Sequence, residues 1–166
     1  MTLPTIEAAS AFVAVQTRSA DETRDLAAAL AAVARAADRI ALLGPLGAGK
    51  TQFAKGFAAG LGVREVVNSP SFTLMAEYAG RLPLFHQDLY RLSGAEEVFG
   101  GGLVDERQED GVTLIEWGER LPGAIDAHRI VVHIDVGTDD ERTITIAAAD
   151  PSQERYVDAA RGWAAR

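Results

Sequence analysis

The stretch "IALLGPLGAGKTQFAKGF", residues 40–57, contains a short apolar run, a glycine-rich segment and a helix-forming segment, in that order. The apolar run at 40–43 has the length of a buried β-strand, and the segment 52–62 has the apolar spacing of a helix that ends at its glycines. The glycines between the two elements allow the chain to turn tightly. A strand, a glycine-rich loop and a helix in this order predict an α/β fold in which the loop binds a phosphate group.

The segment "GPLGAGKT", residues 44–51, matches the pattern G-x-x-x-x-G-K-T in full. Its glycines let backbone N–H groups turn inward at a helix N-terminus, where the macrodipole also favours phosphate. Lys50 would bring positive charge to the β- and γ-phosphates, and Thr51 offers a hydroxyl to Mg²⁺. The sequence therefore predicts a site for ATP, or another nucleoside triphosphate, and Mg²⁺. The candidate nucleotide-binding residues of the loop are Gly44, Leu46, Gly47, Ala48, Gly49, Lys50, Thr51 and Gln52.

Two acidic residues follow apolar strands that are predicted further along the chain. Asp88 ends the run "LPLFHQD", and Glu116 ends the run "VTLIE". Because the carboxyl ends of parallel strands face the same crevice as the phosphate loop, both acids are candidates to bind the metal or to position the attacking oxygen. We predict that Glu116 is a metal ligand or water-positioning group, with a solvated turn residue as the alternative. For Asp88, a catalytic role and a structural role stay equally open.

Other polar and aromatic residues near these positions have weaker signals. Two interpretations stay open for the hydroxyls of Ser69, Ser71 and Thr73: a loop that senses the γ-phosphate, or a connection that contacts no ligand. His86 would lie on the same strand face as the acid two residues later, and a structural role is the more common one for such a histidine. Trp117 is a candidate for stacking on the ligand, with core packing as the default.

The remaining patterns predict one domain spanning residues 1–166, with core motifs at 19–136 and a C-terminal hairpin and helix at 129–166. A capping box at Ser19–Glu22 predicts a helix that runs to about Ala37. The other predicted elements are a strand at 72–78, a strand that ends near Asp88, a short helix at 94–99, a strand at 112–116, a hairpin of 129–137 with 142–149, and a final amphipathic helix that begins at about residue 151.

Composition excludes several classes of function. The chain has 16 Lys and Arg against 24 Asp and Glu, a net charge of −8, which argues against binding of nucleic acid without a basic partner. It has no cysteine, and its three histidines lack metal-ligand spacing, so we expect neither disulfides nor a zinc site. No apolar run approaches the roughly 20 residues that span a membrane. We therefore expect a cytoplasmic protein.

Four motifs now stand in one order: "GPLGAGKT", "NSPSFTL", "FHQDLYRL" and "LIEWGE". This combination closely resembles the TsaE family, also called YjeE, which comprises small bacterial P-loop ATPases needed to make threonylcarbamoyladenosine in tRNA. The resemblance covers roughly residues 19–136. It implies a P-loop NTPase-like α/β fold with a central, mostly parallel sheet, antiparallel additions and helices on both faces.

The residues that match the family's functional positions are Lys50, Thr51, Ser71, Asp88, Glu116 and Trp117. The resemblance implies that Thr51 and Glu116 bind Mg²⁺ and that Asp88 is a catalytic or water-mediated metal residue. Ser71 stands where the family usually has threonine and keeps the hydroxyl of a switch-like residue. Trp117 matches the family's tryptophan next to the metal-binding acid.

The resemblance also implies partners. They are TsaD, the threonylcarbamoyl transferase, and its companion TsaB, while TsaC makes the activated intermediate. In that scheme the chain hydrolyses ATP while docked on the TsaB–TsaD pair, and it meets tRNA only through the complex. Two alternatives stay open: a small P-loop kinase, although the segment 93–111 has only Arg107 for a phosphate-clamping lid, and a regulatory module that binds nucleotide without significant hydrolysis.

Overall fold

The computed structural model describes residues 9–70, 75–89, 106–116 and 129–166. Its strands are β1 (Ala11–Thr17), β2 (Arg39–Leu43), β3 (Met75–Tyr78), β4 (Leu84–Asp88), β5 (Val112–Glu116), β6 (Ile130–Val136) and β7 (Arg142–Ala148). Its α-helices are α1 (Ala20–Ala31), α2 (Lys50–Gly60) and α3 (Glu154–Ala164), and two short 3-10 helices span Glu106–Asp110 and Pro151–Gln153.

The strands of the described ranges form one mixed sheet in the order β1-β7-β6-β2-β5-β4-β3. The centre is parallel: β2 pairs with β6 on one side and with β5 on the other, and β5 pairs with β4. The outer strands β3, β7 and β1 are antiparallel to their neighbours. The structure thus confirms the predicted α/β class with a parallel core and antiparallel additions, and it confirms the predicted hairpin as β6 and β7.

One apolar core joins the three helices to the sheet. It contains Leu26 and Leu30 of α1, Phe53 and Phe57 of α2 and Tyr156 of α3, all fully buried. Residues on the opposite face of the central strands are buried as well: Ala41, Phe85 and Ile115. Burial on both faces explains why the central strands are continuous apolar runs rather than alternating ones.

Strand β1 was not predicted from the sequence. Its residues alternate between inward positions such as Val13 and Val15 and outward positions such as Phe12, which is half exposed. Since alanine and glutamine fill the other outward positions, the apolar signal is weak. Pairing with β7, rather than the local sequence, determines this edge strand.

The N-terminus of α1 is as predicted, but its C-terminus is not. Ser19 caps the helix by accepting a hydrogen bond from the N–H of Glu22. The helix ends at Ala31, whereas the prediction extended it to about Ala37. The carbonyl oxygen of Ala31 accepts a hydrogen bond from Arg81, so a tertiary contact satisfies a terminal group that another helical turn would otherwise satisfy.

Some predicted elements fall partly or wholly outside the described residues. Strand β3 is described from Met75, so the predicted positions 72–74 are not covered, and the helix predicted at 94–99 is not covered either. The predicted C-terminal helix is confirmed, with the short 3-10 turn before it. Within the described ranges, no helix has both the length and the apolar character needed to cross a membrane.

Asp38, which precedes β2, fastens α3 to the sheet. Its Oδ2 accepts hydrogen bonds from the guanidinium group of Arg155, the hydroxyl of Tyr156 and the backbone N–H of Arg35. Burial, together with the neighbouring Asp38 carboxylate, raises the pKa of Tyr156, so the hydroxyl stays protonated and donates. One carboxylate therefore joins residues that are more than a hundred positions apart in the chain.

Replacing Asp38 tests this anchor. Asp38→Ala should lower the free energy of unfolding by about 3 kcal/mol, because it leaves the buried hydroxyl of Tyr156 and the partly buried guanidinium group of Arg155 without their acceptor. Urea unfolding followed by circular dichroism measures the change. The control is Asp21→Ala, which removes an ion pair to Arg24 at an exposed position and should cost less than about 1 kcal/mol. Equal losses for the two variants would contradict the anchoring role.

Candidate functional site

The glycine-rich loop between β2 and α2 has a backbone that only glycine adopts easily. Gly44, Gly47 and Gly49 have φ angles of +148°, +80° and +110°. A Cβ atom on Gly44 would also lie 2.5 Å from the carbonyl oxygen of Ile134. Gly49 is the N-cap of α2 and provides no side-chain acceptor, so the first N–H groups of this helix receive no cap from that residue.

Lys50, the first residue of α2, lies back along this loop. Its side chain is only 5% exposed, and Nζ donates to the carbonyl oxygens of Gly44 at 2.5 Å and Pro45 at 3.1 Å. These backbone contacts offset part of the cost of burying an ammonium group. The loop thus holds a positive charge next to the N-terminus of a helix, and both features favour an anion.

An arginine of the C-terminal hairpin supports the loop from outside. Arg142, at the start of β7, donates from Nε to the carbonyl oxygen of Ala48 at 2.9 Å and from its guanidinium group to the carbonyl oxygens of Asp139 and Glu141. The sequence did not indicate this residue, because an arginine after a hairpin turn carries no signal for a contact 94 residues away.

A cavity of about 130 Å³ adjoins the same side of the loop. It lies between the start of α1, the loop and the hairpin turn, and its lining residues are Ser19, Ala20, Thr23, Gly47, Ala48, Gly49, Gln52, Asp140 and Arg142. Four of the predicted binding residues line this cavity: Gly47, Ala48, Gly49 and Gln52. The amide oxygen of Gln52 accepts a hydrogen bond from Arg24 of α1. Leu46 is 82% exposed.

The two predicted acids lie side by side at the end of the sheet where the loop begins. Asp88 is the register partner of Glu116 across β4 and β5, and Glu116 is the partner of Leu42 across β5 and β2. Gly44 follows Leu42 by two residues. Both carboxylates are nearly buried, with 4% of Asp88 and 3% of Glu116 exposed. The structure therefore brings both acids to the loop, as the strand-end argument predicts.

Each carboxylate has a polar partner. The Nε2 atom of His86 lies 2.6 Å from Oε2 of Glu116, and the hydroxyl of Ser69 donates to Oδ2 of Asp88 at 2.6 Å. Strand alternation places His86 on the same face as the acids, but its contact with Glu116 depends on the neighbouring strand and was not predicted. Ser69, one of the hydroxyls with two open interpretations, contacts an acid of the candidate site.

The donor set at this position suits Mg²⁺. Thr51 offers a hydroxyl at the start of α2, Glu116 a carboxylate at the adjacent strand end, and Mg²⁺ prefers such oxygen ligands together with phosphate and water. No group of three or more His, Cys, Asp or Glu side chains in the described ranges could hold a metal by itself. Ser71 and Trp117, the other predicted ligand-binding residues, lie outside those ranges.

Comparison with known proteins identifies the family. The sequence model of the family described as "Threonylcarbamoyl adenosine biosynthesis protein TsaE" matches residues 17–144. The chain belongs to the TsaE family. The match contains the phosphate loop, both strand-end acids and the four parallel strands β2, β4, β5 and β6. It confirms the resemblance that the four motifs indicated.

Two relatives illustrate the similarity. The tRNA threonylcarbamoyladenosine biosynthesis protein TsaE of Treponema pallidum is 40% identical over 130 residues, which cover 78% of this chain and 96% of the relative. The protein of the same name from Bacillus subtilis is 42% identical over 134 residues, which cover 80% of this chain and 84% of the relative. TsaE proteins are thus tRNA threonylcarbamoyladenosine biosynthesis proteins, and this chain is a member of that group.

A solved structure supports the same assignment. The crystal structure of Bacillus subtilis YdiB superposes on this TsaE chain with a TM-score of 0.72 and 37% sequence identity. The superposition covers 92% of this chain and 95% of the solved one. The mixed sheet and the arrangement of helices described above are therefore the fold of a known relative.

A pair of glycine variants tests the loop geometry. Gly44→Ala should lower the free energy of unfolding by at least about 2 kcal/mol, because alanine is strained at positive φ and its Cβ meets a backbone oxygen. Gly162→Ala, in α3, has open space for the methyl group and should raise stability by up to about 1 kcal/mol. Urea unfolding of both variants measures the change in the free energy of unfolding, which should be a decrease for Gly44→Ala and an increase for Gly162→Ala. A neutral Gly44→Ala would contradict the loop geometry.

Proposed function

We propose that this TsaE protein binds ATP with Mg²⁺ at the loop 44–51 and hydrolyses ATP within the tRNA threonylcarbamoyladenosine machinery. The observation that carries the proposal is the position of two buried carboxylates, Asp88 and Glu116, at the sheet end from which the loop leaves. A glycine-rich loop alone would suit any phosphate ligand. The two acids beside it can supply a metal ligand and a group that orients the attacking water, the two functions that hydrolysis of a metal-bound triphosphate needs.

The loop and the start of α2 would bind the phosphates. The N–H groups at the helix N-terminus have no side-chain cap from Gly49, so they are available to donate hydrogen bonds to phosphate oxygens. Lys50 would transfer its hydrogen bonds from the carbonyl oxygens of Gly44 and Pro45 to the β- and γ-phosphates. Since the ammonium is already placed beside the loop, little side-chain ordering remains to be done when the nucleotide binds.

Thr51 and Glu116 would hold Mg²⁺, and the bound ion would supply positive charge to the phosphate oxygens. Asp88 would orient the attacking water and accept its proton, because a nearly buried carboxylate keeps a fixed position and has few competing solvent contacts. Ser69 donates to one oxygen of Asp88 and so restricts the carboxylate's rotation. The protein would thus contribute to the reaction mainly by positioning the metal and the attacking water and by placing charge near the phosphates.

We further propose that the chain acts on the TsaB–TsaD pair and meets tRNA only through that complex. Its net charge of −8 supports this arrangement, since an acidic protein gains no counterion-release energy from contact with a nucleic acid backbone. ATP hydrolysis would then reset the complex between rounds of modification rather than take part in the chemistry on adenosine.

Three variants separate binding from hydrolysis. Lys50→Ala should weaken ATP binding by tenfold or more, because it removes the charge that pairs with the phosphates. Glu116→Gln and Asp88→Asn should bind ATP within a few-fold of the unaltered chain but reduce turnover by about 100-fold or more. Calorimetry measures the ATP affinity, and steady-state phosphate release measures turnover, both in the presence of Mg²⁺.

Each variant has a matched control. Lys55→Ala changes the next lysine of α2, and Glu109→Gln and Asp110→Asn change exposed acids of the 3-10 helix before β5. The controls should leave both binding and turnover unchanged. Equal, small effects of Glu116→Gln and Asp88→Asn on binding and turnover would favour a regulatory nucleotide-binding module and contradict the hydrolytic assignment. Phosphate transfer to an acceptor in place of release would favour a kinase.

A further inference from the structure

A buried histidine, His86, contacts Glu116, although it belongs neither to the phosphate loop nor to the pair of strand-end acids. His86 lies in β4, two residues before Asp88, and its side chain is fully buried. Its Nε2 atom is 2.6 Å from Oε2 of Glu116. Its other ring nitrogen, Nδ1, is buried as well and has no hydrogen-bond partner among the described residues.

The chemistry of the pair fixes which nitrogen carries the hydrogen. An ionised carboxylate can only accept, so the hydrogen at the 2.6 Å contact is on Nε2. The opposite tautomer would lose this bond and would also bury an N–H group at Nδ1 without an acceptor, which is costly. His86 is therefore the donor and Glu116 the acceptor.

The bond limits the orientations that Glu116 can adopt. A hydrogen bond to an ionised acceptor is stronger than a neutral one, and more so in a buried position. The bond from His86 occupies Oε2. Among the described residues, His86 is the side chain that forms a hydrogen bond with this carboxylate. The free rotations of the Glu116 side chain are thereby restricted, and Oε1 is the oxygen left to bind a metal.

We propose that His86 is a positioning residue for Glu116: it holds the carboxylate in the orientation in which Oε1 binds Mg²⁺. The inference rests on the proposed function, since it assumes that Glu116 is a metal ligand. Hydrogen-bond partners of metal ligands orient the ligand, and their loss typically weakens metal affinity by about 10–100-fold. His86 acts through Glu116 and need not contact the nucleotide.

The test compares three variants of His86. In His86→Gln, the amide nitrogen stands about as far from Cα as Nε2 does and can still donate to Glu116. In His86→Asn, the amide is too short to reach it, and His86→Leu has no donor. We expect about 10–100-fold weaker Mg²⁺ affinity for the Leu and Asn variants and recovery of most of it in the Gln variant.

The measurement is a titration of MgCl₂ into protein saturated with a non-hydrolysable ATP analogue, followed by calorimetry. The affinity for the analogue in EDTA is measured as well, and it should not change, because His86 lies on the metal side of the site and not in the loop. The control is His133→Leu, an exposed histidine of β6 that pairs with Asp135 and should leave Mg²⁺ affinity unchanged.

The outcomes separate failure of this inference from failure of the proposed function. If the unaltered chain shows no Mg²⁺-dependent binding of the analogue, the proposed function fails. If it does, but the Leu and Asn variants keep the full Mg²⁺ affinity, the positioning role is overturned. An equal loss of Mg²⁺ affinity in the Gln, Asn and Leu variants also overturns it, because the loss would then result from removal of the imidazole ring and not from removal of the hydrogen bond. Should the Leu variant not fold, the comparison of Gln with Asn decides.

Discussion

The parallel pairing of β2 with β5 is the constraint on which the rest of the site depends. In this register Leu42 lies beside Glu116, so the strand that leads into the phosphate loop is adjacent to the strand that ends in a carboxylate. Because side chains alternate between the two faces of a strand, a slip of one residue would move Glu116 to the other face, away from His86. Both faces of the central strands are closely packed, so such a slip would disturb the side-chain packing on each face.

Burial then determines how the charged groups of the site are held. Lys50, Asp88 and Glu116 are each at most 5% exposed, and a charge in such a position needs polar partners. Loop carbonyls, Ser69 and His86 provide these partners in the protein as it stands. The same contacts that offset the cost of desolvation also restrict side-chain rotation. One set of hydrogen bonds therefore both stabilises the buried charges and holds the side chains of the site in position.

Local patterns predicted the parts of the structure that local chemistry determines. The spacing of "GPLGAGKT" predicts the strand, loop and helix because glycine conformation and helix termini are short-range properties, and the strand-end rule places Asp88 and Glu116 correctly. Contacts between distant segments were not predictable. Arg81 donates a hydrogen bond to the C-terminal end of α1, and β1 forms by pairing with β7. Arg142 contacts the loop across 94 residues, and His86 contacts Glu116 because β4 and β5 pair in one register.

We propose that this TsaE protein hydrolyses ATP while it is docked on a partner complex. The test is steady-state ATP hydrolysis with Mg²⁺, by the chain alone and with a purified TsaB–TsaD pair. We expect a low rate for the chain alone and a clear increase when the pair is added. Fast hydrolysis that the pair does not change, or no hydrolysis under either condition, would contradict it.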